Sequence, residues 1–323
     1  MSSAKSRVAL IGCPGYEPGE LEPALDRLFG ELGGLERFIQ PGQRVLIKPN
    51  CIAPIPRARA GQTDPALIVS VARRVRDLGA TPIVGDSPAW GRLRDNLAAI
   101  GAIEPLRKLG VDIVEFSRGR RLDNYPMRIY RRFTVADDVL AADRIINLPK
   151  LKGHKQLGLT AAIKNMFGCV TGKRKALWHF RAGDQRNFFG WMLVELFDRL
   201  RPCLTIVDAV VGQEGDGPIN GTPRRFGWLV GGADGVAIER VCAELVGFRP
   251  EELRILRAAS ELGIGQVALE QIEVVGRFIE QERISDFRRP ELIPIRFDLL
   301  RVFRSAMKNV WLRLRKPGGR RAD

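Results

Sequence analysis

Histidine is nearly missing from this 323-residue chain, and tyrosine and cysteine are scarce, at two, three and five residues respectively. The cysteines, Cys13, Cys51, Cys169, Cys203 and Cys242, lie at least 34 residues apart, so their spacing encodes neither a zinc ribbon nor an intrinsic iron-sulfur cluster motif. An odd, scattered set reads as reduced thiols. No run of 18 or more consecutive apolar residues occurs, which argues against a membrane-spanning helix. The opening MSSAKSRVALIGCPG has too short an apolar core for an export leader and reads as a first strand, so a cytoplasmic chain is expected. Negative charge is also in short supply. Asp plus Glu number 37 against 52 Lys plus Arg, giving net +15 and a pI near 10.2, which favours anionic partners. Nucleic acid ranks last among them, because no helix-turn-helix, RNA-recognition or zinc-finger pattern is present and few Tyr and Trp residues could stack on bases.

What is present is an ordinary globular composition, 45% hydrophobic and 28% charged. Apolar, β-branched runs at 7–13, 44–50, 81–86, 111–116, 144–148, 204–211, 226–231 and 272–276 read as buried strands. Amphipathic stretches separate them. Residues 65–78 repeat Leu67, Val71, Val75 and Leu78 behind a Thr63-Asp64 cap and a proline at the first helical position. This βαβ rhythm predicts an α/β fold: a mostly parallel sheet with helices on both faces, whose ligands bind at the carboxyl ends of the strands. Residues 1–289 are expected to form this body, with a soft boundary between two lobes near 150. Residues 290–323 form a basic amphipathic tail, in which Phe297, Leu300, Phe303, Met307 and Leu314 fall at helical spacing. Between Arg296 and Arg321 stand nine basic residues and one acid, Asp298. Such a helix can lie on an anionic membrane surface at the inner face, or pack on the body with its arginines in water.

Three constellations could carry chemistry. In residues 147–180, Lys150, Lys152, Lys155, Lys164, Lys173, Arg174 and Lys175 occur with no Asp or Glu, and both histidines, His154 and His179, are there too. That composition repels itself unless solvated or neutralised by an anion. Lys150, Lys152 and His154 are expected on a loop leaving the sheet, ahead of a helix over 159–167 whose amino terminus would add partial positive charge. His154 is the candidate general acid or base, with His179 and Lys164 also placed as catalytic and Asn165 beside the ligand. A second constellation, 204–223, ends an apolar strand in Asp208 and then interleaves Glu214, Asp216 and Asn220 with glycines, Gly217 among them. Asp208, Glu214 and Asp216 could hold a divalent metal, accept from hydroxyls, or pair with the lysines of the first segment. It is neither a Walker loop nor a Rossmann fingerprint. The third is Lys48-Pro49-Asn50-Cys51 with the strand ends near Thr63-Asp64 and Gly85-Asp86, which a parallel sheet would bring to one rim and which makes Lys48 and Asn50 candidate ligand-binding groups.

In this order, KPN, LPKLKGHKQLGLTAAIKNMFG and VDAVVGQEGDGP followed by GGADGVAIERVCAELVG resemble the domain-of-unknown-function 362 family, DUF362, over about residues 7–265. The resemblance implies an α/β domain often joined to a ferredoxin-like iron-sulfur module, and so hints at redox work. This chain lacks that module, so electrons would come from an external electron-transfer protein. The family pattern falls on Lys48, Lys152, His154, Lys164, Asn165, His179, Asp208, Glu214, Asp216 and Gly217. It departs at Glu239, where the family usually has aspartate. A weaker likeness to lactate-racemase-type proteins lies in the lysine- and histidine-rich segment. The expectation is an enzyme, oxidoreductase or isomerase, acting on an anionic small molecule by redox or proton-transfer chemistry. The alternative is a non-catalytic accessory protein that binds a cofactor or lipid-linked anion at the membrane surface.

Overall fold

A computed structural model describes residues 5–122, 129–130, 132–171 and 186–295. The basic tail from 296 onward and His179 lie outside these residues. All eight apolar runs form strands: β1 (Ser6–Gly12), β2 (Arg44–Pro49), β3 (Thr81–Asp86), β4 (Asp112–Glu115), then, after the short pair β5 (Gly119–Leu122) and β6 (Phe133–Ala136), β7 (Arg144–Leu148). The chain continues through β8 (Lys150–His154), β9 (Gly158–Thr160), β10 (Leu204–Glu214), β11 (Thr222–Gly232) and β12 (Ile272–Gly276). One sheet runs in the order β12-β1-β11-β10-β7-β2-β3-β4, with β8 added beside β10 and β9 beside β8. Every neighbour along the main path is parallel except β11, which runs against both β1 and β10. Because β10 and β11 sit between β1 and β7, strands from before and after residue 150 interleave, and the sheet has no break there.

Alternation along the strands divides the core in two. Ala9, Ile11, Val45, Ile47, Val84, Ile146 and Ile206 point to one face, against the helices α1 (Pro18–Leu32), α2 (Pro65–Asp77), α3 (Leu93–Ala99) and α4 (Ile103–Lys108). Val8, Leu10, Leu46, Ile83, Ile145 and Val207 point to the other, covered by α5 (Asp137–Leu140), α6 (Phe188–Leu200), α7 (Gly235–Leu245), α8 (Arg254–Leu262) and α9 (Ile279–Glu282). Local chemistry sets the helix starts. Asp64 caps α2 by accepting from Ala66 N at 2.9 Å, ahead of Pro65, and Asp234 caps α7 by accepting from Val236 and Ala237 N.

Two local expectations are corrected. Lys150, Lys152 and His154 are not on a loop: they form β8, all five residues of which are buried. Pro149, which has no N–H, ends β7, and the chain resumes as a strand shifted onto β10. The helix predicted over 159–167 is replaced by β9 and a 3-10 turn, Ile163–Cys169. Its first amides are not free for a ligand. Glu239 of α7 accepts from the backbone N–H groups of Ala161, Ala162 and Ile163 at 3.2, 2.7 and 3.0 Å.

Candidate functional site: a lysine cluster at the carboxyl rim

The period of two in β8 puts Lys150, Lys152 and His154 in one row. Lys152 meets Asn50 just past the end of β2, the strand that brings Lys48, and feels the charge of Lys164 on the 3-10 turn. The lysines differ in what they touch. Lys48 Nζ lies 2.7 Å from Asp86 Oδ1 and donates to Pro49 O at 2.8 Å and Asn165 Oδ1 at 3.3 Å. Lys150 Nζ lies 2.6 Å from Asp208 Oδ2 and donates to Val211 O at 2.8 Å and to the Tyr16 hydroxyl at 3.0 Å. Each ammonium thus spends three donors on three acceptors, one of them a carboxylate at most 2% exposed.

Lys152 and Lys164 have no such carboxylate. Lys152 Nζ donates to Asn50 Oδ1 at 2.5 Å and Gly61 O at 2.9 Å, both neutral. Burial, then the charges of Lys164 and Lys150, push its amine well below the ordinary lysine value. Lys164, half-buried, makes no hydrogen bond or ion pair among the described residues. Burial, then the charge of Lys48, brings its amine down to about 8. Two amines at this rim are therefore uncompensated.

Asn165 fixes the geometry. Its Nδ2 donates to Lys48 O (3.0 Å) and Asn147 Oδ1 (2.8 Å), while its Oδ1 accepts from Lys48 and from Asn50 Nδ2 (3.0 Å). With all four bonds used, Asn165 positions Lys48 and Asn50 rather than presenting itself to a ligand. Gly168 completes the packing, since a Cβ there would stand 2.4 Å from Asp86 Oδ1 and 2.7 Å from Lys48 Nζ. Two buried oxygens, Gln62 Oε1 and Gln213 Oε1, lack a hydrogen-bond partner among the described residues; Gln62 follows Gly61, whose carbonyl accepts from Lys152, and Gln213 stands in register with Lys152 on the adjoining strand.

The strand ends expected to converge do so. Asn50 N donates to Thr63 Oγ1 at 2.8 Å, and Cys51 N to Asp86 Oδ2 at 3.0 Å. Asp64 N donates to Asp208 Oδ2 at 2.8 Å, while its side chain takes both Nε and Nη2 of Arg57 at 2.7 and 2.9 Å. Asp86 stands at a strand end that the sequence reading placed on this rim; Tyr16 and Asn147 belong to the site but were not singled out from sequence. Asn147 could have been, as a polar residue one step before the end of an otherwise apolar strand. Tyr16, in the loop after β1, carries no comparable signal.

The glycine loop differs from its expected role. Asp208 and Glu214 stand six residues apart along β10, and Asp216 lies beyond its end. Each acid has a basic partner: Asp208 has Lys150, Glu214 has Arg224 at 3.0 Å, and exposed Asp216 has Lys155 at 2.8 Å. Among the described residues no group of three or more His, Cys, Asp or Glu gathers as a metal site. Gly217 does not line the lysine cluster. A Cβ there would stand 2.0 Å from Gly153 O, so it lets the loop lie directly on β8. His154, buried at the outer end of the lysine row, accepts from Gln156 N through Nδ1 at 3.1 Å.

The fold and rim define an α/β protein with a doubly covered, mostly parallel sheet and an excess of lysine at the carboxyl ends of its strands. Residues 45–244 match the domain of unknown function DUF362, and the chain belongs to that family. It is 37% identical over 310 residues to a thylakoid-associated protein of Synechocystis sp., covering 96% of each chain. The lactate racemase apoprotein from Thermoanaerobacterium thermosaccharolyticum aligns structurally with a TM-score of 0.42 and 10% identity, over 69% of this chain and 54% of that one. No helix of the described residues is long and apolar enough to cross a membrane.

Proposed function

We propose that the protein is an enzyme that binds a small anionic molecule at the lysine rim and moves a proton on it. The observation that carries this reading is Lys164, an amine with no partner among the described residues, in a cluster whose three other lysines share only Asp86 and Asp208. A bound anion would compensate the charge that these groups otherwise push off by losing protons. Lys164 and Lys152 would meet the anion, and Gln62 Oε1 and Gln213 Oε1 would accept from a hydroxyl on the same molecule. His154 would serve as acid or base at the end of the row. A redox version of the reaction would draw on an external electron-transfer protein.

Isothermal titration with inorganic phosphate and with lactate tests the site. The native chain should bind at least one of them, and Lys164→Met should weaken that binding at least tenfold, while Lys155→Met, which removes a partner of the glycine loop, should not. Equal affinities in all three proteins would contradict the proposal.

A second reading concerns location. The tail's nine basic residues against one acid, together with the thylakoid association named for the relative, support docking on an anionic membrane surface. The full chain should then sediment with phosphatidylglycerol-rich vesicles and a chain ending at 295 should not. Equal sedimentation of the two would overturn it.

A further inference from the structure

We propose that Lys164 is a nucleophile that forms an imine with the carbonyl carbon of an anionic aldehyde or 2-oxo acid. This deepens, and rests on, the reading of the rim as an anion site. Three properties are needed for a lysine to do this chemistry: a nitrogen free of other bonds, access from solvent, and a substantial uncharged fraction near neutral pH.

The four lysines separate cleanly on the first property. Lys48 and Lys150 are each held by a carboxylate and two further acceptors, so their nitrogens are fully engaged. Lys152 keeps two hydrogens on Asn50 and Gly61 and is 4% exposed. Lys164 alone of the four has no bond at its nitrogen among the described residues, and it alone is half-buried rather than buried. The charged groups acting on it come from β2 and β8: Lys48 lowers its affinity for a proton directly, and Lys152 senses it in turn. Asp86, the acid beside Lys48, is already taken by that lysine.

The backbone holding Lys164 is pinned on both sides. Asn165, the next residue, spends all four of its hydrogen bonds inside the cluster, and Ala161 to Ile163 donate to Glu239. The amine is presented by a fixed turn, with Lys152, which keeps one donor unspent, placed to receive the ligand's carboxylate or phosphate. In the step itself the lone pair of Lys164 Nζ attacks the carbonyl carbon, and the carbonyl π pair moves to oxygen, which takes a proton. The first of the two nitrogen protons is the one that oxygen takes, giving a carbinolamine; the second passes to the hydroxyl as the carbon–oxygen bond breaks, and water leaves. Carbonyl plus amine gives imine plus water, with no oxidant or reductant consumed.

The experiment uses the native full-length protein, with pyruvate and pyridoxal 5'-phosphate as carbonyl-bearing anions and lactate and inorganic phosphate as their carbonyl-free counterparts. After incubation with sodium cyanoborohydride and proteolysis, mass spectrometry should place the reduced adduct at Lys164 at least tenfold above any other lysine, and excess phosphate should suppress it. Lys164→Arg, which keeps the charge but loses the nucleophile, should retain phosphate binding and take no adduct at this site. Adducts spread evenly over surface lysines, with phosphate still bound, would overturn the imine while leaving the anion site standing. Absence of both adduct and anion binding would overturn both.

Discussion

The lysine rim and the glycine loop look alike in sequence, each a polar, glycine-containing stretch after an apolar strand, yet the fold treats their charges in opposite ways. In the loop every acid has a cation within salt-bridge distance, Glu214 on Arg224 and Asp216 on Lys155, and the glycines serve close backbone packing on β8. At the rim four lysines share two carboxylates, and the two unshared amines respond by releasing their protons more easily. A charged cluster marks a ligand site when its charges are left unbalanced by the fold, and a structural joint when they are balanced.

Substitutions sharpen this contrast. The largest effect is expected within the rim's own balanced half. Lys48→Met strands Asp86 as an uncompensated buried carboxylate and should cost about 3–5 kcal/mol of unfolding free energy in urea. Lys164→Met, in the same cluster but with no partner among the described residues, should cost little stability, because it removes a like charge that acts on Lys48 and Lys152. Both proteins losing the same stability would break the distinction between paired and unpaired lysines.

Next in size is the pH response of Glu239, buried on three backbone amides. Burial, opposed by the hydrogen bonds from Ile163, Ala161 and Ala162, raises its carboxyl from 4.5 to about 7. The folded state therefore holds this proton more tightly than the unfolded chain. Its contribution is complete below 4.5 and is lost as pH rises toward 7. Glu239→Gln keeps an acceptor for the amides and removes the titration. Its stability relative to the native chain should climb by up to about 3 kcal/mol between these limits, read from urea midpoints across the pH range. A difference independent of pH would contradict the buried-carboxylate account. The smallest effect belongs to the loop: Asp216→Asn, on an exposed pair, should leave the urea midpoint and phosphate affinity unchanged.

The fold was largely legible because its signals are local and repeated. Eight apolar runs gave eight strands, and the Thr63-Asp64-Pro65 start of α2 followed from capping chemistry. The helix expected at 159–167 failed because its alanine and leucine content suits a helix in isolation, whereas the fold supplies a distant carboxylate, Glu239, and a strand partner, β8. No local pattern contains either. The rim was legible in its residue types, Lys48, Asn50, Lys150, Lys152 and Lys164. Which lysine is neutralised depends on Asp86 and Asp208, brought in from 38 and 58 residues away along the chain. The sequence alone also puts Asp208, Glu214 and Asp216 together, because nothing local reveals that β10 runs on from Asp208 to Glu214.

Lys164 stands uncompensated at this rim among the described residues. Amine acylation of the native protein across pH, quantified at each lysine by mass spectrometry, measures that directly. Lys164 should reach half its maximal reactivity near pH 8, and saturating phosphate should move that midpoint upward by restoring charge to the amine. A midpoint near the ordinary lysine value of 10.5, indifferent to phosphate, would contradict it.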